Sequence, residues 1–159
     1  MLKFIEQNIE VCGLVTKLTN SQTSNFEIIQ KHWLKFNQVL KNNQLSQKSV
    51  NWEKYGITYK LNDEYFYIAA IPKPAQITST DLVNYCIQRG QYKIFQHQGE
   101  MLNIKNTFQN IYKDILPKSN LVLRRDFENG FLHFEKYDYR FHWNKPDSII
   151  DIYIPINSL

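Results

Sequence analysis

Glycine and proline are scarce in this chain, with five of each in 159 residues. So few glycines leave little scope for loops whose backbone amides cradle phosphates. No P-loop, dinucleotide fingerprint or Gly-x-Ser-x-Gly elbow occurs. Cysteine is scarcer still: Cys12 and Cys86 stand far apart, with no CxxC or CxxH nearby. A disulfide between them stays open, and reduced thiols in a cytoplasmic protein are the expected state. The four histidines, His32, His97, His133 and His142, show no H-x-x-x-H or H-E-x-x-H spacing. Neither a metal nor another cofactor is therefore expected. The start of the chain lacks a basic region followed by an apolar run, so no secretory leader is expected. No stretch approaches the roughly 20 apolar residues of a membrane span. Charge of one sign is also sparse. The net charge is +4, no five like charges run together, and direct nucleic-acid binding is not expected. A soluble cytoplasmic protein without a membrane partner is the expectation.

Aromatic residues are what the chain has in quantity: ten Tyr, ten Phe and three Trp, 14% of the whole. They fill cores, and they also line pockets for flat ligands. The length suits one domain over 1–159. Residues 5–17 alternate loosely and read as a strand, with Ile9, Val11, Gly13 and Val15 on one face. Over 26–41, Phe26, Ile29, Trp33, Phe36 and Leu40 recur at helical spacing, and Ser24 or Asn25 offers a cap. A polar loop follows over 42–49. Residues 55–61 and 65–71 flank Asn62-Asp63 as a hairpin. The prolines within 72–80 mark a linker.

The pattern then recurs. Segments 82–87 and 91–97 around Gly90 read as strands, or as one long bent strand. Ile104, Phe108, Ile111, Tyr112 and Ile115 give a helix over 103–116, stopped by Pro117. Residues 131–139 and 148–156 are the last two strands. The expected fold is α+β: two strand–helix–hairpin halves, roughly 1–72 and 81–159, related by a pseudo-twofold axis. Their antiparallel sheet carries two helices that flank a central ligand groove. Overlaying the halves sets Tyr59 on Tyr137 and Ile57 on Glu135.

Glu135 is the residue that needs explaining. Strand alternation puts His133, Glu135, Tyr137 and Tyr139 on one face, and Leu132, Phe134, Lys136 and Asp138 on the other. A carboxylate among rings is either on a wet face, paired with a neighbouring Lys, or on a dry face that awaits a cation. The dry reading is adopted here. His133 shares that face, but two residues of rise set it about 7 Å from Glu135. Tyr59 and Tyr137 suit pocket walls and core packing equally. Trp33 with Phe36, and Phe108 with Tyr112, favour core, on helix faces that border the groove. Arg124-Arg125 and the basic residues of 41–48 read as solvated surface.

Four segments carry a resemblance. Gly90-Gln91-Tyr92-Lys93-Ile94-Phe95-Gln96-His97-Gln98-Gly99 resembles a Gly-x-Tyr-x-x-Phe-x-His-x-Gly stretch. Residues 107–117, with Ile111-Tyr112 and Leu116-Pro117, resemble a helix ending in Leu-Pro. Phe134-Glu135-Lys136-Tyr137-Asp138 resembles a Phe-Glu-x-Tyr-x strand, and Asp151-Ile152-Tyr153-Ile154-Pro155-Ile156 resembles the final strand. Together, in this order, they resemble the GyrI-like family, the bacterial transcription activator effector-binding domain. Cys86-Ile87-Gln88 departs from the family's frequent Ile-Pro at a bend. The resemblance implies a duplicated fold whose central pocket takes small, often cationic aromatic molecules. At the position of Glu135 it implies a carboxylate facing them among rings.

Many members carry a fused DNA-binding domain. This sequence leaves no segment for one, so a free-standing multidrug-binding member of the staphylococcal type is expected. The expected ligand-binding set is Glu135, Tyr137, Tyr59, Trp33, Phe36, Tyr112 and Phe108. The expected partners are lipophilic cations, with a separate regulatory protein as a further partner. Two alternatives stand beside binding. One is hydrolysis of electrophilic compounds, with Glu135 as base or nucleophile and Tyr137 as proton donor. The other is a protein-interaction role such as gyrase inhibition.

Overall fold

The computed structural model describes residues 1–45, 51–76 and 81–158. The loop expected over 42–49, the basic stretch 41–48 and the linker 72–80 lie partly outside the described residues. The elements are β1 (Leu2–Ile5), β2 (Ile9–Lys17), α1 (Gln22–Asn42), β3 (Lys54–Leu61), β4 (Glu64–Pro72), β5 (Val83–Ile87), β6 (Gly90–Gln98), α2 (Ile104–Asn110), β7 (Phe131–Tyr137) and β8 (Ile149–Pro155). The strands form one antiparallel sheet in the order β1-β6-β8-β7-β3-β4-β2-β5. Exchanging the halves (β3 for β7, β4 for β8, β2 for β6, β5 for β1) reproduces that order reversed. The fold is therefore α+β and duplicated, with its pseudo-twofold axis between β3 and β7.

The sheet is strongly curled. Only Gln88 and Arg89 join β5 to β6, yet these strands sit near opposite ends of the order. A flat sheet would hold them roughly 30 Å apart, whereas a two-residue link spans at most about 10 Å. The ends must approach each other, so each of β1–β2 and β5–β6 is one long strand bent at a corner. The Arg89 amide donates to Asn8 Oδ1 at 2.8 Å and ties the two corners together. The single strand expected over 5–17 is thus broken at Glu6-Gln7-Asn8, and pairing reaches back to Leu2.

Strand alternation explains the two faces. Val11, Ile57, Ile68, Tyr92, Phe134 and Tyr153 meet inside the curl. The outer face carries the helices. Phe36 and Leu40 of α1 pack on Cys12, Leu14 and Ala69 of β2 and β4. Ile111 and Leu116, beyond α2, pack on Ile152 and Ile154 of β8. Each such burial contributes about 1.5–3 kcal/mol. Both cysteine thiols are free.

Local chemistry sets the ends of the elements. Asn62 and Asp63 both take positive φ, 52° and 63°, which matches the twist of a tight hairpin. The cap of α1 is Ser21, whose side chain accepts from the Ser24 amide. This corrects the expected cap at Ser24 or Asn25: Asn25 Oδ1 instead accepts from the Thr19 amide at 2.7 Å. Helix α2 continues into a π-helical turn over Ile111–Ile115, closed by Leu116 N–H to Ile111 C=O at 2.9 Å, before Pro117.

Strand β7 carries a bulge. His133 pairs with Thr58, but Phe131, not Leu132, pairs with Tyr59. The extra residue returns Phe131 to the inner core beside Phe134. It also turns Leu132 to the outer, helix-bearing side, against the expected alternation. Tyr139 lies beyond the strand's end and is exposed.

Candidate functional site

A cavity of about 550 Å³ lies between α1 and α2 over the middle of the sheet. Steps of three and four along α1 aim Phe26, Ile29 and Trp33 into it. Steps of four along α2 and the π-helical turn that continues it aim Ile104, Phe108 and Tyr112 from the other side. Thr58, His133 and Glu135 form the floor. Gln109 Nε2 donates to Gln22 Oε1 at 2.8 Å, so one amide pair bridges the two helices.

Glu135 is 5% exposed. Its Oε1 accepts from the Tyr137 hydroxyl at 2.5 Å and from the Tyr67 hydroxyl at 3.2 Å. Trp33 Nε1 donates to the Tyr67 oxygen at 2.9 Å, which completes a short relay. Gly56 makes this arrangement possible. It is the cross-strand partner of Glu135, and a Cβ at Gly56 would overlap the Tyr67 hydroxyl. A glycine inside a strand thus opens the space through which Tyr67 reaches the carboxylate. Burial pushes the Glu135 carboxyl up to about 7, and the hydrogen bonds from Tyr137 and Tyr67 pull the other way. Burial, and then the nearby carboxylate, raise Tyr67 and Tyr137 well above the usual phenol range. Both hydroxyls therefore stay protonated and keep donating.

The inner row of the α2 wall is apolar and aromatic. Phe108 lies 4.9 Å from the His133 ring, and the Tyr112 hydroxyl shares a 2.7 Å hydrogen bond with His133 Nδ1. Burial, with Arg125 nearby, lowers His133 to about 3, so it is neutral at physiological pH. Burial raises Tyr112 to about 12. A second cavity of about 200 Å³ lies behind Trp33 and Met101 and is lined by Trp52, Tyr137, Phe141 and Trp143.

Of the seven residues expected from the sequence, Glu135, Trp33, Phe108 and Tyr112 line the large cavity. The Tyr137 ring lines the smaller cavity while its hydroxyl holds Glu135. Phe36 is a correction: it is fully buried between α1 and the sheet, edge-on to Trp33 at 5.8 Å. Tyr59 is another. It packs against the inner core, stacked on Phe66 at 5.1 Å.

The overlay behind Tyr59 is displaced by one residue. With Pro72 matched to Pro155, Ala69 matches Ile152, and their ladder partners are Gly56 and Glu135. Ile57, expected on Glu135's position, lies on the opposite face with Phe134. Tyr67 and Gly56 were not singled out from the sequence; Gly56, alone among rings and β-branched residues, was the available signal. Arg125 is exposed, as expected, but stands at the cavity mouth. Among the described residues, no three His, Cys, Asp or Glu side chains converge as a metal site. No helix among them is long and apolar enough to cross a membrane.

The family model described as Cass2, integron-associated effector binding protein, matches residues 6–156. The transcriptional regulator BrlR of Pseudomonas aeruginosa is 30% identical over 105 residues, 64% of this chain and 37% of the regulator. The chain thus spans little more than a third of that relative's length. Among solved structures, SAV2435 bound to tetraphenylphosphonium aligns with TM-score 0.76 at 15% identity, covering 99% of this chain and 93% of that one. The integron cassette protein VCH_CASS2 of Vibrio cholerae aligns with TM-score 0.67 at 19% identity, covering 99% and 95%. At these identities the two structures share the fold.

Proposed function

This chain belongs to the family of integron-associated effector-binding proteins, and on that premise we propose that its large cavity binds flat, lipophilic cations, for sensing or sequestration in the cytoplasm. The observation that carries the reading is the buried Glu135 carboxyl, held on one oxygen by two tyrosines beneath aromatic walls. SAV2435, which shares the fold, is bound to tetraphenylphosphonium, a lipophilic aromatic cation, though a tetrahedral rather than a flat one. In this chain Glu135 selects charge. Trp33, Phe108 and Tyr112 stack on the ligand and contribute about 0.5–2 kcal/mol each as cation–π partners. Tyr67 and Tyr137 position the carboxylate. Phe36 and Tyr59 act only through packing. A mostly apolar pocket with one carboxylate gives breadth rather than high affinity, so micromolar binding, about −8 kcal/mol, is expected.

The test is a fluorescence titration of rhodamine 6G on wild type and Glu135→Gln, which removes the charge and keeps the size. Saturable micromolar binding that weakens about tenfold or more in the variant is expected. Equal binding by both proteins sinks the role of Glu135, and absence of binding sinks the proposal.

A further inference from the structure

The charges around the large cavity are arranged in depth. Among the described residues, Glu135 is its one acidic lining residue and lies on the floor, whereas Lys105, Lys113 and Arg125 are its basic lining residues. Two rows run along the helix of the α2 wall. Ile104, Phe108 and Tyr112 make an inner apolar row, and Lys105, Gln109 and Lys113 make an outer polar row one residue on. Lys113 is exposed and Lys105 half-buried, which places this row at the mouth. Arg125 is held at the same lip by a 3.1 Å hydrogen bond from Nη1 to the Leu132 carbonyl. Among the described residues, none of the three basic groups forms an ion pair with an acidic side chain. The exposed lysine just beyond them, Lys118, is paired with Asp114. The facing lip, on α1, is neutral: Gln22, Asn25 and Gln30.

A pocket built for a simple cation gains nothing from unpaired positive charge at its entrance. Such groups repel the ligand on approach and leave its outer end without a partner. The arrangement instead complements a molecule that is positive where it enters deepest and negative where it emerges. Resting on the cation-binding reading above, we propose that the preferred ligands are amphoteric: fused aromatic cations that carry a carboxylate or similar acidic group at one end. The aromatic cation lies between the helices over Glu135. The acidic group meets Lys105, Lys113 and Arg125, stays partly hydrated, and sets the orientation of the molecule.

Two matched dyes test this. Rhodamine 110 carries a free carboxylate on a cationic xanthylium, and rhodamine 123 is its methyl ester. Fluorescence anisotropy measures both on wild type and on the Lys105→Gln/Lys113→Gln double variant, with circular dichroism to check that the helix is retained. Wild type is expected to bind rhodamine 110 at least as tightly as rhodamine 123. The double variant is expected to move the dyes in opposite directions. Rhodamine 110 weakens by about tenfold, and rhodamine 123 tightens by about twofold, as two hydrated cations leave the mouth. Tenfold tighter binding of rhodamine 123 to wild type overturns the proposal and leaves the cation site standing. Equal changes for both dyes, or no change, overturn the role of the two lysines. Binding of neither dye overturns the proposal together with the reading on which it rests.

Discussion

Gly56 and Glu135 hold equivalent places in the two halves of the sheet and pair directly across the β3–β7 ladder. The surrounding scaffold is duplicated, but these two residues differ by a whole ionisable side chain. On one side the missing side chain opens space, and Tyr67 fills it with a hydroxyl. On the other the carboxyl accepts from that hydroxyl and is desolvated by burial. Symmetry thus supplies a curled sheet with a helix on each half, and the break in symmetry at the axis supplies the chemistry. A charge placed there lies under both helices, within reach of rings from each.

Restoring a side chain at the glycine breaks this contrast most severely. Gly56→Val forces the Tyr67 ring out of its fully buried place and is expected to destabilise by about 2–4 kcal/mol in urea unfolding, with loss of rhodamine 6G binding. Removing the charge has the opposite sign. A carboxyl raised from its ordinary value to about 7 contributes stability that is present below about pH 4.5 and is lost as pH rises through 7. Glu135→Gln is therefore expected to unfold later than wild type at pH 8, by roughly 1–3 kcal/mol, with the gap closing toward pH 5 in thermal melts. Tyr67→Phe removes one donor from Glu135 and leaves Trp33 Nε1 without its acceptor. It is expected to cost about 1–2 kcal/mol in urea unfolding and to raise the Glu135 midpoint further, seen as a higher pH needed for cation binding. Tyr59→Phe, on the inner face, sharpens the comparison by doing least. Rhodamine 6G affinity stays within about twofold, because no ring on that face meets the cavity.

The elements were legible where local periodicity carries them. Alternation gave the strands, Asn62-Asp63 gave the hairpin, and steps of three and four gave both helix faces. Glu135 stood out because a charge among Phe134, Tyr137 and Tyr139 has no local reason to be there. What stayed hidden depends on register between distant strands. Tyr67 meets Glu135 across 68 positions of chain, and no local pattern encodes that contact. The one-residue error that put Ile57 and Tyr59 on the cavity side comes from hairpins of unequal length. Two residues join β3 to β4, but a long loop joins β7 to β8. Gly56 resolves the error once strand interiors are read for glycine as well as for apolar alternation. Lys105 and Lys113 escaped notice because lysines on a helix look alike until the wall they edge is known, and Arg125 was read only as solvated surface.

The most direct measurement is isothermal titration calorimetry of tetraphenylphosphonium at neutral pH, run in two buffers of different ionisation enthalpy. This ligand carries no titratable group, so any proton exchanged comes from the protein. With Glu135 near 7 in the empty cavity and lower beside a bound cation, about half a proton is released per ligand at pH 7. Affinity then falls by up to about tenfold per unit as pH drops below 7, and Glu135→Gln abolishes both effects. Binding without proton release, equally tight from pH 5.5 to 8.5, contradicts a buried carboxyl that ionises to meet its ligand.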